Sequence, residues 1–394
     1  MYLTHLESTE TDARVDPAAL ATVCPDTGRP LVACYDLAAA GKALTRETYA
    51  SRPAGLWSLR EVLPLADPER AVSLGEGGTP LLAVPRLGAA LGLPRLWVKD
   101  ESLNPTGSFK ARGMSVAVSM ARALGAEALA APSAGNAGGA LAAYGARAGL
   151  PVHLAMPRDV PAANLLEAQI CGAQVELLEG NIADCGKWIR ERAAEEGWFD
   201  LSTLKEPYRV EGKKTMGYEL ALDMGWELPD VVLYPTGGGT GLVGMWKAFH
   251  EMQAMGWLAE DAKLPRMVVV QAAGCAPVVD AFLAGRDEAT PPKNPHTCAS
   301  GLRVPSAIGD RWMLRVLRES GGTAVAVEDE ELIEGARRIA RDEGLFVAPE
   351  AGALVAALSK LKAAGEISGE DRVVIFNTGT GIKYPECLGL SGGG

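Results

Sequence analysis

The chain has 394 residues, of which 48% are apolar and 22% charged, and it carries a net charge of −11. That length suits two domains, or one large one around a substantial core. The acidic balance speaks against nucleic acid or an anionic membrane as partner, and no apolar run approaches the ~18 residues of a membrane-spanning helix.

Residues 1–16 are polar and acidic and lack the pattern of a signal peptide. The seven cysteines, at 24, 34, 171, 185, 275, 298 and 387, are scattered with no C-x-x-C pair. Neither a disulfide framework nor a zinc ribbon is expected, and a reducing cytoplasm fits best. The four histidines, His5, His153, His250 and His296, form no ligand pattern, so the expectation is no metal.

In chain order, residues 1–70 read as an irregular segment. Leu74-Gly-Glu-Gly-Gly-Thr-Pro-Leu81 follows as a loop punctuated by glycine and proline. A strand is expected over 96–100. Asn104-Pro-Thr-Gly-Ser-Phe-Lys110-Ala-Arg-Gly113 then starts as a turn, because Asn-Pro disfavours helix, and ends as a helix over 111–124. Ser108 is a plausible N-cap, which puts Lys110 in the first helical turn. A cation there opposes the helix dipole, which favours a neutral amine able to form a Schiff base with a carbonyl cofactor.

Strand-helix alternation continues: strands over 128–131, 152–156, 174–178, 231–234, 268–271 and 373–376, and helices over 136–148, 162–172, 183–196, 210–224, 242–254, 275–284, 330–343 and 350–364. Val/Ile/Leu-rich strands alternating with helices indicate parallel sheets covered by helices. The Pro- and Thr-rich stretch 285–305 is a long loop, either mobile or part of a site.

Four loops carry possible chemistry. Ser133-Ala-Gly-Asn-Ala-Gly138 lies between a strand and a helix, where free backbone N–H groups can hold a carboxylate. Pro235-Thr-Gly-Gly-Gly-Thr-Gly241 is a cup of N–H groups suited to phosphate; Gly237, Gly238, Gly239 and Gly241 let the backbone close in and Thr240 adds a hydroxyl. Gly239-Thr-Gly-Leu-Val-Gly244 also fits G-x-G-x-x-G, but the following strand ends at Gln271, where a dinucleotide site wants an acid. Phe376-Asn-Thr-Gly-Thr-Gly-Ile-Lys383 offers two hydroxyls, Thr378 and Thr380. Thr203-Leu-Lys-Glu-Pro-Tyr-Arg209 supplies a guanidinium suited to phosphate or carboxylate.

The lysine segment resembles that of fold-type II pyridoxal phosphate (PLP) enzymes, and the order of the loops is similar to that of threonine synthases across residues 74–386. The resemblance implies an α/β fold of the tryptophan synthase β type: two open, mostly parallel sheets flanked by helices. It implies an N-terminal segment 1–73, a large PLP domain of 74–119 and 206–394, and a small α/β domain of 120–205. Lys110 then carries PLP and moves the α-proton. Asn136 meets the ring, Gly237 to Gly241 hold the cofactor phosphate, and Thr378 faces the pyridine nitrogen. Ser133, Ala134, Gly135 and Asn136 grip the substrate carboxylate, Arg209 holds a substrate phosphate, and Thr79 borders the site. The implied reaction converts O-phospho-L-homoserine and water to L-threonine and phosphate, in a cytoplasmic homodimer acting on a small amino acid. The sequence departs from threonine synthases at Ala134 and Ala137, where they carry threonine; that loop is similar to the one in serine/threonine dehydratases. Glu206 replaces the asparagine before proline, and a carboxylate there would repel a phosphate. A nucleotide-binding protein without PLP is the non-enzyme alternative.

Overall fold

The computed structural model describes residues 2–389. Among these residues thirteen strands form three sheets. The first sheet is antiparallel, in the order β2-β1-β3, with β1 Leu3–Ser8, β2 Arg14–Val15 and β3 Leu31–Tyr35. It corrects the expectation of an irregular N-terminus. Leu3, Leu6, Leu31 and Ala33 alternate inward to a buried face while polar neighbours point out.

The largest sheet is built from β4 Leu81–Ala83, β5 Leu96–Asp100, β10 Val231–Pro235, β11 Arg266–Ala272, β12 Thr323–Val327 and β13 Val373–Asn377, in the order β12-β11-β10-β13-β5-β4. All neighbours are parallel except β4, which runs antiparallel to β5. Val-Val-Leu-Tyr-Pro and Val-Val-Ile-Phe-Asn are buried along their whole lengths, as central strands covered on both faces must be. The smaller sheet is all parallel, β8-β7-β6-β9, with β6 Leu129–Pro132, β7 Val152–Pro157, β8 Gln174–Leu178 and β9 Phe199–Asp200.

The strand order places the site. From β10 the chain proceeds outward to β11 and β12, while β13 and β5 lie on the other side. The crevice at such a reversal, beyond the carboxyl ends of the strands, is where open α/β sheets bind ligands. The loops after β10, β13 and β5 meet there, joined by the loop that follows β6.

The helix Lys110–Ala123 leaves that crevice and runs through the interior; every residue from Ala111 to Ala121 is buried. It crosses the helix Tyr208–Asp223 with backbone against backbone. A β-carbon on Gly212 would collide with the Arg112 carbonyl, and one on Gly113 would lie 2.9 Å from the Arg209 oxygen. Beneath the crossing lies a buried ion network. Arg112 Nε donates to Glu101 Oε2 and its Nη1 to Glu219 Oε1, each at 2.6 Å, while Lys99 Nζ donates to Asp223 Oδ2 at 2.7 Å. Burial raises the proton affinity of Glu219, but Arg112 and Lys99 outweigh it and hold the carboxyl at about 2.

One cysteine expectation changes. Cys298 and Cys387 are paired as a disulfide, with Cα atoms 5.4 Å apart and a sequence separation of 89. Spacing alone does not reveal pairings that only the fold brings together. His5 and Glu7 of β1 also meet Cys34 of β3, their ligand atoms all within 4.8 Å. These groups are already engaged: His5 lies 3.2 Å from Glu7 and 2.9 Å from Thr4, and burial pushes the Cys34 thiol up to about 11.

Candidate active site

Lys110 opens the helix Lys110–Ala123 and lines a cavity of about 600 Å³ between the two parallel sheets. Ser108 is not the helix cap; Phe109 occupies that position, and the Ser108 hydroxyl accepts from the Lys110 N–H at a long 3.4 Å. The Lys110 backbone is instead fixed from behind by Lys213, whose Nζ donates to the carbonyls of Phe109 (2.6 Å) and Lys110 (3.1 Å). Burial and then the Arg209 charge push the Lys110 amine down to about 7, with Glu350 acting in the opposite direction. The helix terminus visible in the sequence adds to these larger causes.

The cavity brings together most of the expected residues: Lys110, Ser133, Ala134, Gly135, Asn136, Gly237 to Gly241 and Thr378. The glycine cup joins β10 to the helix Thr240–Ala254. Gly239 holds φ +81°, and a β-carbon there would strike Met313. A β-carbon on Gly238 would come 2.6 Å from Thr203. Only glycine leaves this backbone room to close around a ligand. Among the described residues, the N–H groups of residues 237–241 have no protein acceptor. They form a donor array at a helix N-terminus, and a phosphate satisfies it.

Asn136 is the first residue of the helix Asn136–Ala148; its amide donates to the Tyr384 hydroxyl at 2.8 Å while its Oδ1 is buried without a partner. Ser133 is occupied locally, accepting from the N–H groups of Gly135 and Gly138 and donating to the Gly135 carbonyl. Of the two threonines after β13, Thr378 lines the cavity, whereas Thr380 caps the short turn Gly381–Lys383.

Two expected residues lie elsewhere. Thr79 is buried in the ion network, donating to Glu101 at 2.6 Å and accepting from Arg112 at 3.0 Å. Its loop is a structural brace, because Glu76 beside it accepts from Trp57, Tyr144 and the Leu74 N–H. Arg209 is 2% exposed and does not line the cavity; Nη1 donates to the Leu201 carbonyl at 2.8 Å. Glu206, which looked repulsive to a phosphate, caps the helix Tyr208–Asp223 by accepting from the N–H groups of Tyr208 and Arg209.

Lys205 reaches the cavity instead, on the wall with Ser202 and Thr203. Arg29 and Arg303 also line it but are ion-paired, with Glu288 and Asp310 and with Asp159 respectively. Among the described residues Lys205 has no such partner. The long 285–305 loop contributes Ser300 to Pro305 to the cavity, and Glu350 and Tyr384 complete it. None of these three contributions is marked by a motif. Only the length of the loop singles it out in the sequence.

A lysine with a lowered proton affinity, a cup of free N–H groups and a hydroxyl at the end of the central strand are the groups a PLP site needs, and the residues present fit that cofactor. The family of pyridoxal-phosphate dependent enzymes matches residues 72–379. The chain is 37% identical over 362 residues to the threonine synthase of Methanocaldococcus jannaschii, covering 92% of this chain and 88% of that one. It is 38% identical to the threonine synthase of Methanosarcina acetivorans, over 84% of this chain and 81% of that one. Among solved structures, a threonine deaminase from T.th. superposes with a TM-score of 0.63 at 26% identity, covering 77% of this chain and 92% of that one. Diaminopropionate ammonia lyase from Escherichia coli shares the fold, with a TM-score of 0.67 at 18% identity, covering 81% and 89%. The chain belongs to the pyridoxal-phosphate dependent enzyme family. Among the described residues, no helix is long and apolar enough to cross a membrane.

An amine attacks an aldehyde only when uncharged. Capture of PLP by cofactor-free protein is therefore expected to accelerate through about pH 7 and then level, rather than climb toward the ordinary lysine value of 10.5. Stopped-flow absorbance across that range checks it. A rate still rising steeply above about pH 9 contradicts the lowered amine.

Proposed function

We propose that the protein is a threonine synthase, converting O-phospho-L-homoserine and water to L-threonine and phosphate. The observation that carries this reading is the cavity that joins a weakly basic Lys110 to the glycine cup, in a chain whose curated relatives over most of its length are named threonine synthase. The N–H groups of residues 237–241 would hold the cofactor phosphate, Asn136 would meet the ring, and Thr378 would face its nitrogen without keeping it protonated. Bound PLP supplies the electron sink for a carbanion at the substrate α-carbon. The Lys110 amine takes the α-proton and returns protons later in the cycle. The first-turn N–H groups after Ser133 orient the substrate carboxylate. Lys205, with Ser202 and Thr203, replaces Arg209 as the partner proposed for the substrate phosphate, because it lines the cavity without an ion pair, as Arg190 does, and shares its stretch of wall with two hydroxyls. Arg209 acts from behind, keeping Lys110 deprotonated. The large domain of 74–119 and 206–394, the small domain of 120–205 and the N-terminal segment 1–73 belong to the same proposal, as do a homodimer and a cytoplasmic setting, which the family resemblance supports.

A serine/threonine dehydratase is the second reading, and Ala134 and Ala137 favour it: neither offers a hydroxyl to a phosphate or to an attacking water. The deciding assay is phosphate release and threonine formation from O-phospho-L-homoserine against keto-acid formation from threonine or serine. Lys205→Met is expected to raise KM for the phosphorylated substrate roughly tenfold to a hundredfold, the worth of one charge-assisted hydrogen bond. An unchanged KM removes Lys205 from phosphate recognition.

A further inference from the structure

Glu350 lies in the first turn of the helix Pro349–Ala363 and lines the same cavity as Lys110. It is 5% exposed. Its Oε1 accepts from the Gly301 N–H at 2.8 Å, while Oε2 is buried with no hydrogen-bond partner among the described residues. Buried carboxylate oxygens are rarely left unpaired, because desolvation then goes uncompensated. The approach is also specific: a β-carbon at residue 301 would lie 2.6 Å from Oε1. The helix N-terminus favours a negative charge at this position.

The charges around the pair are few. On the helix Tyr208–Asp223, Arg209 bears on Lys110 and drives its proton off, while burial and then Lys110 lower the proton affinity of Lys213. Glu350 is the carboxylate that opposes Arg209. Facing Glu350 are Lys110 and, on the C-terminal segment, the buried Tyr384 phenol. Burial raises the Glu350 carboxyl while it lowers the Lys110 amine, so two groups of opposite charge titrate toward one another inside one cavity.

We propose that Glu350 is a positioning residue of the active site: one oxygen is pinned by Gly301, and the unpaired one sets how firmly the Lys110 amine holds its proton. The assignment rests on Lys110 as the reactive amine, but it can be read without cofactor. Lys110 acetylation by acetic anhydride is followed on cofactor-free protein over a pH series, by the mass of the peptide that carries it. Glu350→Gln retains an acceptor for Gly301 and removes only the charge. Its Lys110 midpoint is expected to fall about one pH unit below the wild-type value, and Glu350→Asp to recover most of that shift. Coincident midpoints in wild type and Glu350→Gln overturn the proposal. Should Glu350→Gln not fold, Glu350→Ala takes its place in the same acetylation series, where a lowered Lys110 midpoint supports the proposal and a midpoint coincident with wild type overturns it. A wild-type protein that shows no visible cofactor band refutes the PLP reading alone, because the acetylation midpoints still decide the role of Glu350.

Discussion

Lys110→Ala is expected to abolish the visible absorbance of bound cofactor and to lower turnover at least about a thousand-fold, since one substitution removes both the cofactor anchor and the acid/base group. The fold is expected to survive. Among the described residues, the Lys110 side chain makes no hydrogen bond and no ion pair; its ammonium packs 4.2 Å from the centre of the Phe109 ring. A lysine held at about 7 in the folded state but near 10.5 when unfolded gives up protons on folding. The unfolded chain therefore binds more protons between those values, and cofactor-free wild type gains stability as pH rises through that window. Lys110→Ala loses this dependence and melts at the same or a higher temperature near neutral pH. Calorimetry with absorbance checks both parts. Retained turnover with a retained band would sink the mechanism.

Arg112→Met is expected to cost about 3–5 kcal/mol, because it leaves Glu101 and Glu219 charged and buried without their partner. The guanidinium satisfies both carboxylates and Thr79 at once, and all of these groups are withdrawn from solvent. The same network predicts an acid weakness. An unfolded glutamate takes its proton near 4.5, whereas folded Glu219 waits until about 2. In that interval the unfolded chain binds more protons, so stability present above about 4.5 drains away as the pH falls toward 2. Urea midpoints for both proteins, at neutral pH and in acid, measure the two effects. A neutral-pH loss below about 1 kcal/mol in the variant would show that the buried pairs contribute little.

Lys110, Asn136, the cup at 237–241 and Thr378 were legible because each belongs to a segment between a strand and a helix, or just after the last strand, whose composition states its chemistry. The parallel sheets were legible from composition as well, in runs such as Val-Val-Ile-Phe-Asn. Residues whose partners lie far away in sequence were not. Thr79 looks like a site hydroxyl in its glycine loop, yet Arg112 and Glu101 draw it inward. Arg209 sits in a promising segment but turns to the Leu201 carbonyl, and Lys205, four residues earlier, faces the cavity. Glu350 and Tyr384 come from a helix and a tail that carry no motif. β1 pairs with β3 across more than twenty intervening residues, so the half-polar run Leu-Thr-His-Leu-Glu-Ser gives no hint of its mate.

The bare crossing of residues 113 and 212 limits how this enzyme can diversify. New substrates are accommodated by repainting the walls of the crevice, whereas a methyl group added at the hidden intersection would shift the nucleophile itself. Inactivating lesions there would mimic the loss of a catalytic group while lying where no metabolite ever reaches.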